Sequence, residues 1–235
     1  MSGKRYREAL AKVDRDRQYA PADAIRLLKE LPVAKFDESV EVAFRLGLDT
    51  TQAEQALRGT VALPHGSGRT VRVAAFATGE KAREAKEAGA DVVGGEDLVE
   101  LVNGGTIEFD AAVATPDMMA SVGKAGRVLG PRGLMPNPKT GTVTFDIAKA
   151  VAAIKGGQIE YRTDKSGIVH LIIGKRSFGE QQLVENLHAV VEEILRARPS
   201  SAKGKYVISV AISTTMGPGI RLDTSHMREV EGASA

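Results

Sequence analysis

The chain of 235 residues contains no cysteine. That excludes disulfides, thiolate nucleophiles and cysteine metal sites, and it suits a reducing cytosol. No apolar run approaches the roughly 18–20 residues that a membrane-spanning helix requires. The opening MSGKRYREALAKVDRDR has no apolar core of the kind a secretory signal needs, so none is expected. Catalytic signatures are missing as well. The histidines, His65, His170, His188 and His226, are scattered, and neither HExxH nor GxSxG occurs. No catalytic residue, metal or cofactor is therefore expected, and the chain reads as a non-enzyme.

Acidic residues are absent from two long stretches. From Met118 to Phe145 the only charges are Lys124, Arg127, Arg132 and Lys139. From Ile194 to Leu222 they are Arg196, Arg198, Lys203, Lys205 and Arg221. The formal net charge is only +2. Local acid-free stretches let a nearly neutral protein keep a polyanion-binding face, although each stretch alone also fits an ordinary solvated surface.

Hydrophobic patterning divides the chain. KRYREALAKVDRDRQ has Tyr6, Leu10 and Val13 at helical spacing. APADAIRLLKELP reads as a second helix, with Pro21 in its first turn and Pro32 at its end. ESVEVAFRLGL then alternates Val40, Val42, Phe44 and Leu46 against Glu41, Ala43 and Arg45, a strand with one wet face.

Between residues 68 and 157 the strands become continuously apolar (VRVAAFA, ADVVGG, FDAAVATP) and alternate with helical segments. The last of these is DIAKAVAAIKGG, with Asp146 as its cap. This is the texture of a parallel sheet covered on both faces. Alternation then returns in GQIEYRTD and GIVHLIIG, around the turn KSG of a hairpin. An amphipathic helix carrying Leu183, Leu187, Val190, Val191 and Ile194 follows, and then the strand YVISVAI.

The expected class is α/β. A split α+β domain (1–67 and 158–235) has an antiparallel sheet built from both termini. A Rossmann-like parallel α/β domain (68–157) is inserted into it. The paired Gly-rich crossings, near Pro64–Arg69 and Gly157–Gln158, would act as a hinge. An uninterrupted two-domain layout is the alternative. The end, DTSHMREVEGASA, reads as a flexible tail.

Two loops carry unusual chemistry. VGKAGRVLGPRGLMPNPKTG combines Gly and Pro with Lys124, Arg127, Arg132 and Lys139. Such a loop can lay amides and cations along phosphates, or it can be an irregular connection packed by Leu129, Leu134 and Met135. STTMGPGIR offers Ser213, Thr214 and Thr215, then Met216 between hydroxyls and Gly217. Its plainer reading is a turn whose hydroxyls cap their own backbone. A nucleotide-dependent enzyme on the inserted region is the competing class. VRVAAFATGEKAREA lacks both GxGxxG and GxxxxGK[ST], which argues against it.

The block VGKAGRVLGPRGLMPNPKTGTV resembles the signature of the L-one stalk protein family of the large ribosomal subunit. KFDESVEVAFRLGLD, YRTDKSGIVH and STTMGPGIRLD resemble the same family, in its order, so the likeness runs from about Lys4 to Asp223. It implies a split first domain, an inserted Rossmann-like domain and a two-strand hinge. It also implies binding to structured large-subunit ribosomal RNA at the mobile stalk near the transfer-RNA exit site, and help in releasing deacylated transfer RNA. Repression of translation by binding the operon's own messenger is implied too. The protein would be cytoplasmic on the ribosome, a monomer off it, and without a membrane.

Carried over by position, the RNA-facing set is Lys35, Phe36 and Glu38; Asp164, Lys165, Ser166, Gly167 and His170; and Ser209, Ser213, Thr214, Thr215, Met216 and Gly217. Arg221 adds a phosphate contact, and the 122–141 cations form a secondary basic loop. Ser166 replaces the family's usual Thr and keeps the hydroxyl. Small hydroxyls exchange hydrogen bonds with ribose 2′-hydroxyls, and glycine lets the main chain approach.

Overall fold

The computed structural model describes residues 3–32 and 34–225; of the expected tail, His226 onward lies outside them. The chain divides into two compact units. One holds the described residues up to Gly68 and from Ile159 onward; the other is Arg69–Gln158.

The first unit opens with α1 (Lys4–Ala11) and α2 (Pro21–Glu30). Helix α1 is shorter than the periodicity predicts. Just beyond its end the Asp14 carboxylate accepts from Asp16 N at 3.0 Å, a local turn that competes with further helix. Helix α2 starts on Pro21, whose missing N–H has no intrahelical partner to lose, and buries Ala24, Ile25 and Leu28. Strand β1 (Ser39–Leu46) buries Val40, Val42, Phe44 and Leu46, as its alternation predicts. Strand β2 (Arg58–Ala62), which the sequence did not mark, precedes the first crossing.

The inserted unit runs β3 (Val73–Phe76), α3 (Gly79–Glu87), β4 (Val92–Gly94), α4 (Glu96–Asn103) and β5 (Ala111–Ala114). Then come α5 (Met119–Lys124), α6 (Gly126–Leu129) and α7 (Ile147–Lys155). Its three strands are parallel in the order β4-β3-β5. The unbroken apolar run of β3 has a direct cause. Ala74 and Phe76 enter a core with Val102, Val122 and Leu129, while Val73 and Ala75 enter one with Ile147 and Val151 on the other face. Asp146 stands at the cap of α7, but its side chain makes no capping bond.

The chain returns as β6 (Gln158–Arg162), β7 (Ile168–Lys175), α8 (Glu180–Arg196), β8 (Val207–Thr214) and β9 (Ile220–Leu222). The first unit's main sheet is antiparallel in the order β7-β1-β8-β9. Strands from both ends of the chain therefore share one sheet, with β1 between two strands that follow the insertion. Its apolar face packs on α2 and α8, around Phe44, Ile173, Leu183, Leu187, Ile194 and Ile212. The β6–β7 hairpin read from KSG departs from expectation. The turn exists, but the strands diverge after one bridge, Thr163–Val169, because β6 pairs with β2 while β7 pairs with β1.

Buried Asn186 on α8 fixes the chain just before the first crossing. Its Oδ1 accepts from His65 N at 3.0 Å, and its Nδ2 donates to Gly66 O at 3.0 Å and to Ile173 O at 2.7 Å. Beside it His65 pairs with Glu185, which holds the Glu185 carboxyl below its ordinary range.

Candidate nucleic-acid interface

Alternation in β1, β7 and β8 sends every second residue away from α2 and α8, which pack on the other face of the sheet. The pairing places His170 beside Ala43, Ala43 beside Ala211, and Ala211 beside Arg221 in one row. Neighbouring rows join Ile168, Arg45 and Ser209, and Ile172, Glu41 and Ser213. Two alanines at the centre keep the surface low, while exposed Glu41, Arg45, His170, Ser209 and Arg221 surround them. A register shift at Arg45/Leu46 leaves Ile208 unpaired against β1, so that Ile208 and Ser209 are both exposed. Neither Arg45 nor Arg221 forms an ion pair with a described residue.

At the Ser39 end of β1 lies the turn after β8. Thr215 N donates to Ser39 O, and Thr215 Oγ1 accepts from Ser39 N, both at 3.1 Å. Thr214 is buried, and a Cβ at Gly217 would come within 2.4 Å of its Oγ1, so only glycine closes this turn. Phe36 and Met216, 53% and 63% exposed, line one groove of about 590 Å³ together with Tyr6, Pro32 and Lys35. Glu38 also lines it but is only 1% exposed. One carboxylate oxygen accepts from Ala34 N at 2.9 Å, and the other has no partner among the described residues. Glu38 thus holds the Ala34–Glu38 loop under Phe36.

At the other end of β1 is the Asp164–Gly167 turn. The Asp164 carboxylate accepts from Ser166 N and Ile168 N, both at 2.8 Å, and Gly167 O accepts from Leu46 N at 2.9 Å. The bonds from Ile168 and then Ser166 hold the Asp164 carboxyl below its ordinary value of 3.8, against the opposing effect of desolvation. Gly167 has φ +73°, a left-handed conformation that favours glycine. Thr50 Oγ1 donates to Lys165 O at 2.7 Å, and Lys165 and Ser166 are exposed.

The expected residues therefore fall into two groups rather than one cluster. Lys35, Phe36, Glu38 and Ser213–Gly217 stand at one end of β1; Asp164–Gly167 stand at the other, roughly 20 Å away at strand rise. His170, Ser209 and Arg221 lie on the open face between them. Alternation alone marks Glu41, Ala43 and Arg45 as a wet face but does not mark them as site residues, because a polar strand face is the ordinary state of an antiparallel sheet.

In the inserted unit Lys124, Arg127, Arg132 and Lys139 are all exposed, and none pairs with a described acid. Leu129 is buried, with Leu134 and Met135 packed on the same core. The packing and the cationic display of this loop coexist. Among the described residues there is no group of three or more His, Asp or Glu placed to hold a metal ion.

Residues 28–218 match the model of the Ribosomal protein L1p/L10e family. The large ribosomal subunit protein uL1 of Beutenbergia cavernae is 59% identical over 232 residues, covering 99% of this chain and 98% of the relative. That of Thermobifida fusca is 58% identical over 231 residues, covering 98% of each. That of Streptomyces coelicolor is 60% identical over 227 residues, covering 97% of this chain and 94% of the relative.

Proposed function

Because the chain belongs to the ribosomal L1p/L10e family, and is thus a structural component of the large subunit of the cytoplasmic ribosome, we propose that its first unit grips large-subunit ribosomal RNA across the open face and both ends of β1. The observation that carries this reading is the meeting of Phe36 and Met216. Two large apolar side chains from distant parts of the chain stay mostly exposed in one groove, beside a sheet face whose Arg45 and Arg221 form no ion pair with a described residue. Structured RNA is recognised by stacking on unpaired bases and by contacts to 2′-hydroxyls and phosphates. This face offers an aromatic ring, a thioether, serine and threonine hydroxyls, and cations.

The inserted unit, through Lys124, Arg127, Arg132 and Lys139, meets transfer RNA at the exit site. Bending at the two crossings assists release of the deacylated form. The RNA face of the first unit also binds the messenger of the protein's own operon and represses its translation. The exposure and unpaired state of all four cations support the first assignment.

Filter binding of an isolated stalk fragment of large-subunit ribosomal RNA at fixed salt tests the core of this reading. Phe36→Ala and Met216→Ala should each weaken binding about tenfold, given about 1–3 kcal/mol per stacked base, with unchanged melting temperatures. Unchanged affinity in both variants would remove the groove from the interface.

A further inference from the structure

The groove holding Phe36 and Met216 has a second wall. That wall is α1, which contributes Arg5, Tyr6 and Ala9. Three features of the groove bear on what it could hold. Tyr6 is half-buried, and its hydroxyl is not enclosed. Tyr6 and Phe36 line the same groove without forming a ring pair; among the described residues the paired rings are Phe76 and Phe109. The exposed charges at the groove, Arg5 and Lys35, are both cations, and neither pairs with a described residue. The one acid lining it, Glu38, is buried and turned to Ala34 N.

The volume, about 590 Å³, lies in the roughly 300–1,000 Å³ range of small-ligand pockets. A largely apolar groove lined by two aromatic rings that do not pair with each other, a flexible thioether and two cations suits an aromatic group that carries a phosphate. An apolar protein segment would leave Arg5 and Lys35 without counter-charge.

We propose that this groove receives one unpaired RNA base. The base lies among Tyr6, Phe36 and Met216, and Arg5 and Lys35 contact its flanking phosphates. The proposal rests on the RNA-binding reading above and adds to it the first helix and the form of the ligand. Stacking on an aromatic side chain is tolerant of base identity, so the slot selects an extruded nucleotide at a fixed place in the RNA fold and not a sequence. A base held there would also tie α1 to the 34–38 loop. Helix α1 itself buries only Ala9.

The test uses the full chain and the stalk fragment of large-subunit ribosomal RNA. A photoreactive benzoylphenylalanine at position 6 should crosslink to a single unpaired nucleotide. Removing that base to leave an abasic site should weaken binding by wild-type protein about tenfold, and this measurement needs no protein variant to fold. Tyr6→Ala should weaken binding of the intact RNA by a similar factor and have no further effect on the abasic RNA, while Tyr6→Phe should restore affinity. If Phe36→Ala weakens binding but the abasic RNA and folded Tyr6→Ala both leave it within twofold of wild type, the base pocket is wrong and the RNA reading stands. If the wild-type chain does not bind the fragment, both fall.

Discussion

Asp164 shows at the scale of one residue how a side chain can set the backbone of a candidate interface. Its carboxylate accepts two backbone N–H bonds and so sets the turn that presents Lys165 and Ser166. Because these bonds favour the charged form, its folded pKa lies below the unfolded value near 3.8. A depressed carboxyl stabilises the fold fully above the unfolded value, and that stabilisation is lost as pH falls through the folded one. Asp164→Ala should therefore lower the melting temperature at neutral pH, with the gap to wild type narrowing below about pH 4. Melting curves recorded from about pH 7 to about pH 2 check this; a gap that widened in acid would contradict it. Gly217 makes a similar point about backbone. Sequence shows a glycine beside hydroxyls, but the 2.4 Å approach of Thr214 Oγ1 is what makes glycine necessary there.

At the scale of elements, β1 organises the candidate interface. It pairs with β7 on one side and β8 on the other, so residues distant in sequence form short rows across the open face. Arg45 on β1 and Arg221 on β9 are exposed and form no ion pair with a described residue. Each phosphate neutralised contributes about 0.7–0.9 to the slope of log affinity against log salt. The double variant Arg45→Gln, Arg221→Gln should therefore flatten that slope by about 1–2 units, while leaving the melting temperature nearly unchanged. A salt titration with the ribosomal RNA fragment measures it, and an unchanged slope would place both arginines outside the phosphate contacts. The alternation of β1 was fully legible, as were α2, α8 and the apolar strands of the inserted unit. Strands β2 and β9 were not, because five and three residues of mixed polarity give little period to detect. The divergence of β6 from β7 was hidden for a related reason: a turn signal reports the local bend and says nothing of which distant strand each arm will find.

At the scale of the molecule, each unit has its own hydrophobic core. Leu57, just before β2, bonds through its carbonyl to Thr163 N, just after β6, at 3.0 Å. The start of β2 therefore meets the end of β6, and both crossings leave from the opposite end of this two-stranded ladder. Excising Arg69–Gln158 and joining Gly68 to Ile159 with a short Gly-Ser linker should then leave the first unit folded. Its affinity for the ribosomal RNA fragment should stay within a fewfold of the full chain. Circular dichroism and filter binding test this; a folded but non-binding product would shift the main RNA surface to the inserted unit.

What the sequence determined by itself was which residues are apolar at which period, where glycine and proline interrupt them, and where acids are missing. Those features set the elements, the change of texture at the insertion and the basic loop, because local period and backbone restriction act through near neighbours. Only the tertiary structure decided that the expected residues stand in two groups at the ends of β1, that Glu38 is enclosed, and that α1 forms the far wall of the Phe36–Met216 groove. Each of these depends on pairing register and packing between segments far apart in the chain, and no local pattern specifies those contacts.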